Sequence, residues 1–344
     1  METASHVKRF CSYPFTMATI SPSGNVYFCC SAWLNVPIGN IFREPFSDIW
    51  NSPTALEIRQ TILDGHFKYC NAGTCPLLVS DVVEREARRE IFRHFMEERK
   101  VVLEKGPEKV SMNYDNSCNL HCEACRDKVI VLPKEKQEEL IRLQDSIITS
   151  DFFKHVKQIT VTGSGEALAS PVYMDLFTKI NSRDYPGLKI VLRTNGLLLT
   201  PAMWERLKNI HYAVDVISIS IDAACGETYR QLRRGGDFNR LLKNLEFLKE
   251  LKKNHPFDLI FHFVVQKANY REMPDFLKLA KTYNADHVNF GKLFNLGTYT
   301  KKEYLEAAVH EPGNPEFSRF KEVLNDPALK DTIVWFTNLS GLVE

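Results

Sequence analysis

Residues 117–126 read SCNLHCEACR and place Cys118, Cys122 and Cys125 at the spacing C-x3-C-x2-C. Thiolates this close together hold metal, but three are one short of the four ligands that a tetrahedral zinc or an iron-sulfur cluster usually takes. Two completions are open. His121 offers a fourth ligand for a structural zinc, although side chains as close as His121 and Cys122 tend to point apart. The other is a four-iron cluster with one iron left open for a substrate or cofactor, and an open iron implies catalysis. A second group, Cys11, Cys29, Cys70 and Cys75, lies upstream with Cys30 beside it, and its spacing alone fits zinc and iron-sulfur equally. Cys225 belongs to neither group.

Elements with chemistry at one end must position the first group. From residue 109 onward, short β-rich runs alternate with helical patterns: KVSMNYD (109–115), QITVTG (158–163), KIVLRTN (189–195), VISISID (216–222), DLIFHFVVQ (258–266) and HVNFGKL (287–293). Between them lie amphipathic segments such as KEKQEELIRLQDSIIT, FNRLLKNLEFLKELKK, REMPDFLKLAKTY and TPAMWERLKNI, the last with Thr200 as N-cap and Pro201 at the first helical position. Six strand-helix repeats predict a parallel sheet with right-handed crossovers, either an open doubly wound sheet or a partial barrel, and in both sites gather at the carboxyl ends of strands. The triple-cysteine stretch starts just after the first strand, which is that position. Residues 11–80 read instead as a small cysteine-bearing domain of short strands around SPSGNVYFCC and a helical FSDIWNSPTALEIRQTILDGH. A charged helix, DVVEREARREIFRHFMEERKVVLEKG, is expected to join it to the barrel, packing through Ile91, Phe92, Phe95 and Met96.

The 344 residues are 44% hydrophobic and 25% charged, an ordinary globular composition, and a net charge of +1 leaves no overall electrostatic footprint for nucleic acid or an anionic membrane. The start METASHVKRF leads into no apolar leader, and no run approaches the roughly 18 apolar residues of a membrane span. A cytoplasmic protein is expected. Nine clustered cysteines in such a chain read as metal ligands before disulfides.

The cysteine loop after the first strand of a six-fold β/α repeat resembles the radical S-adenosylmethionine (radical SAM) superfamily, over essentially residues 109–293. The resemblance implies a partial (β/α)6 TIM-like barrel and a [4Fe-4S] cluster on Cys118, Cys122 and Cys125, with SAM as the missing ligand. It also implies that TGSGEA (162–167) holds the SAM amino group through Gly163, Ser164, Gly165 and Glu166. Asn195 of RTNG would reach the ribose, Ser220 and Arg233 the SAM carboxylate, and Gln266 at the end of the fifth strand would complete the cofactor contacts. Ser164 replaces a motif glycine, and Ala124 stands where the family has an aromatic residue before the last cysteine. The chemistry so implied is reductive cleavage of SAM to a 5'-deoxyadenosyl radical and abstraction of a substrate hydrogen, with aiming and exclusion of water as the protein's tasks.

The pattern C-x12-G-x4-C from Cys11 through Gly24 to Cys29, followed by IGNIFREPFSDIWNSP, is similar to SPASM and twitch domains, which carry auxiliary iron-sulfur clusters. Such domains usually follow the barrel, and here the segment precedes it. Four cysteines suit one cluster, so two [4Fe-4S] clusters are expected in all. The domains expected are 1–80 auxiliary, 81–108 linker, 109–300 barrel and 301–344 extension. Peptide or small-metabolite modification is the main expectation, with flavodoxin or ferredoxin as reductant and without nucleic-acid or membrane partners. A dehydrogenase or epimerase of a sugar-type substrate is the alternative, and in another class a zinc-stabilised, non-enzymatic binding module. Cys225 reads as an N-cap-region residue or, more sharply, as a hydrogen donor to a substrate radical. His211, His262 and His287 read as core or surface histidines.

Overall fold

The computed structural model describes residues 9–80 and 82–343. The start of the chain, on which the expectation of no apolar leader partly rests, lies outside the described residues. Among the described residues no helix is long and apolar enough to cross a membrane. The fold is α/β with an open, mixed sheet, the partial barrel expected from the repeats, and it divides into two compact units.

One unit comprises the chain up to Asp115 together with Lys134–Ser164. Its strands are β1 (Met17–Ile20), β2 (Asn25–Tyr27), β3 (Gly39–Asn40), β4 (Lys109–Met112) and β5 (Gln158–Val161). β1 pairs antiparallel with β2 and β2 with β3, whereas β1 runs parallel to β4 and β4 parallel to β5. The turn between β1 and β2 explains the motif glycine: Gly24 has φ +80°, and a Cβ there would lie 2.2 Å from the Phe42 ring. The expected helical stretch after residue 46 forms as two helices, Phe46–Trp50 and Pro53–Leu63, separated at Asn51-Ser52 because Pro53 cannot donate to a continuing helix while Ser52 caps the second one through Ala55 N–H.

Arg59 pins that second helix. Its fully buried guanidinium donates to the carbonyls of Pro14 (2.8 Å), Val101 (2.9 Å) and Trp50 (2.9 Å) and to Asn51 Oδ1 (3.0 Å), and lies 4.5 Å from the Trp50 ring. Burial lowers its pKa to about 9, so it stays charged at neutral pH. Arg59→Met should remove about 3 kcal/mol or more of stability, since charge-assisted bonds are lost and three carbonyls are orphaned. Urea denaturation measures this, and a loss below about 1 kcal/mol would mean that solvent re-satisfies those groups.

The expected continuous linker helix does not form. It is broken into Val82–Ala87, a 3-10 turn Glu90–Phe92 and Arg93–Glu97. Arg89 is extended, which ends the helical path, and the carbonyl of Val83 also accepts from Phe10 N–H (2.9 Å). Arg85, Arg88 and Arg89 also crowd like charge at helical spacing. Phe92 is buried against Phe10, with ring centroids 5.7 Å apart, whereas Ile91 is exposed, contrary to its expected packing role.

The second unit comprises Asn116–Pro133 and the chain from Gly165 onward. It contains β6 (Lys189–Thr194), β7 (Val214–Ser220), β8 (Asp258–Val265), β9 (His287–Lys292) and β10 (Val334–Phe336), each parallel to the next. β10 adds a strand within the extension that the sequence left uninformative. Along β8, Leu259, Phe261, Phe263 and Val265 are buried, and Phe263 packs on Phe276 and Phe290 at 4.7 and 5.4 Å. Strand alternation then gives the opposite face a polar row, Ser220–His262–Asn289 in register, with Arg193 beside Ser218.

Candidate active site

The second unit brings most of the predicted cofactor residues together. The cysteine loop is tied at its base, where Cys118 forms an isolated antiparallel bridge with Ile130, and along its length by His121 N–H to Arg234 O (3.2 Å) and Glu123 N–H to Leu232 O (3.0 Å). These bonds hold the loop against the segment after the helix Gly226–Leu232, where Arg233 lies. Ser117 O accepts from Glu166 N–H at 2.8 Å, so the glutamate is anchored to the residue preceding the first cysteine.

Glu166 is 1% exposed. Its Oε1 accepts from Thr194 Oγ1 (2.7 Å) and Leu168 N–H (3.2 Å), and its Oε2 from Asn195 N–H (2.6 Å). Burial raises its pKa, against the pull of these donors and of Arg233. Asn195, also buried, donates to Asn119 Oδ1 (2.9 Å) and so links the end of β6 to the cysteine loop. The other half of the TGSGEA turn is built in the first unit. Thr162 has φ +57°, rare for a β-branched residue. Gly163 approaches Asn113 so closely that a Cβ would lie 3.1 Å from Asn113 Oδ1, and Ser164 Oγ donates to Asn113 O (2.8 Å). The serine in place of a motif glycine therefore fastens the turn. Gly165 joins the two halves.

Ser220 ends β7 beside His262. Burial, then Arg193 and Arg233, push His262 down to about 3, which keeps it neutral. Gln266 is buried just after β8, its Oε1 accepting from the Tyr299 hydroxyl (3.3 Å). Arg233 directs Nη1 at Cys122 Sγ (3.7 Å) and Nη2 at Asp222 Oδ2 (2.6 Å), while its buried Nε has no partner among the described residues. Asp222, at φ +63°, also accepts from Val264 N–H (2.8 Å). The sequence reading missed Asp222 and also Arg126, whose Nε and Nη2 both lie 3.4 Å from Cys125 Sγ. Cys225 is exposed at the N-cap of Gly226–Leu232 without capping it, and its thiol contacts Thr228 Oγ1 (3.5 Å) and Glu272 Oε1 (3.6 Å).

In the first unit, Cys11, Cys29, Cys70 and Cys75 line one pocket, walled otherwise by apolar groups including Trp33, Leu34, Ile62, Phe67 and Leu78. Cys30 is exposed and does not line it. All four thiols have raised pKa values, first through burial; Cys70 reaches about 11, helped by Cys75. Bare, they repel one another as thiolates, and a cationic centre offsets that. Among the described residues no three His, Cys, Asp or Glu side chains are disposed around a single ion. The four-thiol set and the apolar walls suit an iron-sulfur cluster. In the second unit, the three-cysteine loop, with Cys118 pushed up to about 11 by burial and guanidinium donors at the other two sulfurs, fits one as well.

Comparison with known proteins agrees with this. The radical SAM superfamily model matches residues 112–280 and an iron-sulfur cluster-binding domain model, SPASM, matches residues 11–76. The AdoMet-dependent heme synthase of Methanosarcina barkeri is 30% identical over 194 residues, covering 54% of this chain and 50% of that protein. A GTP 3',8-cyclase of Clostridium botulinum is 25% identical over 203 residues, covering 57% and 60%. The chain thus spans about half to three fifths of the length of these curated relatives. The structure of Streptococcus suis SuiB bound to the precursor peptide SuiA aligns with a TM-score of 0.45 at 15% identity, covering 73% of this chain and 53% of that one. With both domain models matched and both thiol sets suited to clusters, the chain carries a radical SAM domain with a SPASM domain on its N-terminal side.

Proposed function

We propose that this protein cleaves SAM reductively at a cluster held by Cys118, Cys122 and Cys125 and uses the resulting radical to take a hydrogen atom from a peptide or other small metabolite. When bound, the cluster and SAM supply one-electron cleavage of a carbon-sulfur bond. The protein's residues bind and aim. Glu166 takes the SAM amino group, with Gly163, Ser164 and Gly165 shaping the turn around it, and Asn195 takes the ribose. Arg233, with its open Nε donor, and Ser220 take the carboxylate, and Gln266 closes the site. The observation that carries this reading is the bonding of Glu166 and Asn195 to the cysteine loop itself, through Ser117 and Asn119. Residues 1–80 serve as the auxiliary-cluster domain, 81–108 as linker, 109–300 as the catalytic barrel and 301–344 as an extension. The protein works in the cytoplasm with a low-potential donor such as flavodoxin or ferredoxin. The curated relatives differ in activity by name, so the shared half of the chain supports the SAM-cleaving centre without choosing a substrate.

Anaerobic reconstitution with SAM and dithionite, following 5'-deoxyadenosine, tests the proposal, and absence of that product from iron-loaded protein would overturn it. Glu166→Ala should weaken SAM binding about ten- to a hundredfold, the worth of a charge-assisted hydrogen bond, with iron content unchanged. Because Glu166 also braces Leu168, Thr194 and Asn195, Glu166→Gln serves as the size-conserving control alongside a thermal melt. An unaltered SAM dissociation constant in both variants would reduce Glu166 to a turn brace.

A further inference from the structure

Two guanidinium groups meet the three-cysteine loop at its sulfurs, and binding SAM requires neither contact. Arg126 lays two N–H groups, Nε and Nη2, on Cys125 Sγ at 3.4 Å each, while its Nη1 donates to Asn116 O at 2.7 Å. Arg233 points Nη1 at Cys122 Sγ at 3.7 Å and is held there by Asp222 at 2.6 Å, both side chains being about one-tenth exposed. The two arginines are far apart in sequence and approach two different sulfurs from separate segments, one from the loop and one from the end of the helix after β7.

We propose that Arg126 and Arg233 set the reduction potential of the cluster held by Cys118, Cys122 and Cys125. The inference rests on that ligand assignment. Reduction adds one electron to the cluster from an external reductant, and no bond is made or broken. The added negative charge spreads onto the ligand sulfurs, where an N–H donor and a nearby cation stabilise it more than they stabilise the oxidised state. Each arginine therefore raises the potential. Arg126 has the larger effect, because its planar fork places two donors on one sulfur, which a lysine cannot reproduce. Arg233 acts also through its charge, little screened at this burial. For electron entry Arg126 is a positioning residue, and Arg233 adds this effect to its proposed hold on the SAM carboxylate; neither touches the reacting carbon.

The test is the midpoint potential of the reconstituted, SAM-free protein, read by electron paramagnetic resonance during a titration with dithionite. At a fixed poise, Arg126→Met should lower the ratio of reduced to oxidised cluster about tenfold, which for a one-electron couple is a fall of about 59 mV. Arg126→Lys keeps the charge but loses the fork and should fall in the same direction by less. Arg233→Lys, which preserves the pairing with Asp222, should also fall by less than tenfold. Iron content and a thermal melt of each variant separate a change of potential from a damaged site. A wild-type midpoint in every variant that loads iron would overturn the inference while leaving the functional proposal standing. A wild-type protein that assembles no cluster on these cysteines would overturn both, and iron content alone distinguishes that case.

Discussion

Replacing Cys118, Cys122 and Cys125 together with Ala is expected to halve the iron and sulfide of the reconstituted protein, from about eight of each to about four, and to abolish SAM cleavage. The two losses should coincide because the barrel site and the N-terminal site are separate thiol sets in separate compact units. Folding should survive. Only Cys118 of the three is buried, and the loop keeps backbone bonds from Glu123 to Leu232 and from His121 to Arg234 that do not involve sulfur. Retention of 5'-deoxyadenosine formation by the triple variant would remove the basis of the proposed function.

Replacing Cys11, Cys29, Cys70 and Cys75 with Ala should separate two activities. Reductive SAM cleavage needs only the barrel site and should persist, whereas product formation should fail if the auxiliary cluster positions the substrate or accepts an electron from it. A metal that merely held the domain together would act through stability, since small metal-organised domains commonly unfold without their ion. The structure gives this domain other supports: the Arg59 hub, the buried pairing of Ser12 with Glu86 (2.7 and 2.8 Å), and the rings of Phe10, Phe15 and Phe95. A soluble variant is therefore expected. Counting 5'-deoxyadenosine and product side by side, with a melt as control, decides the matter, and normal product yield would refute a role in turnover.

The strands from residue 109 could be read from the sequence because each is a run of β-branched and aromatic residues bounded by turn formers. β10 could not, since three residues, Val334–Phe336, carry no periodicity and gain their pairing only from β9. The broken linker had a clean amphipathic pattern, and its break falls at the extended Arg89, which that pattern does not mark. The candidate site divides in the same manner. Cysteine spacing and TGSGEA are local signals. The approach of Arg233 to the Cys122 sulfur is not, because it depends on Asp222 adopting a left-handed backbone at a strand end and holding Arg233 in place.

The parallel pairing of β1 with β4 joins Met17 to Lys109, a separation of 92 residues (109 − 17). During synthesis the N-terminal segment therefore emerges long before the strand that completes its sheet. At roughly 5–20 residues per second that interval is about 5–20 s, in which one edge of β1 has no neighbour. The same pairing closes a long loop and raises contact order, which slows folding. A nascent chain halted before residue 109 should be open to proteolysis across β1 and β2, and one extended past residue 161 should resist it. The N-terminal placement of the iron-sulfur domain thus makes its maturation wait on the first strands of the barrel.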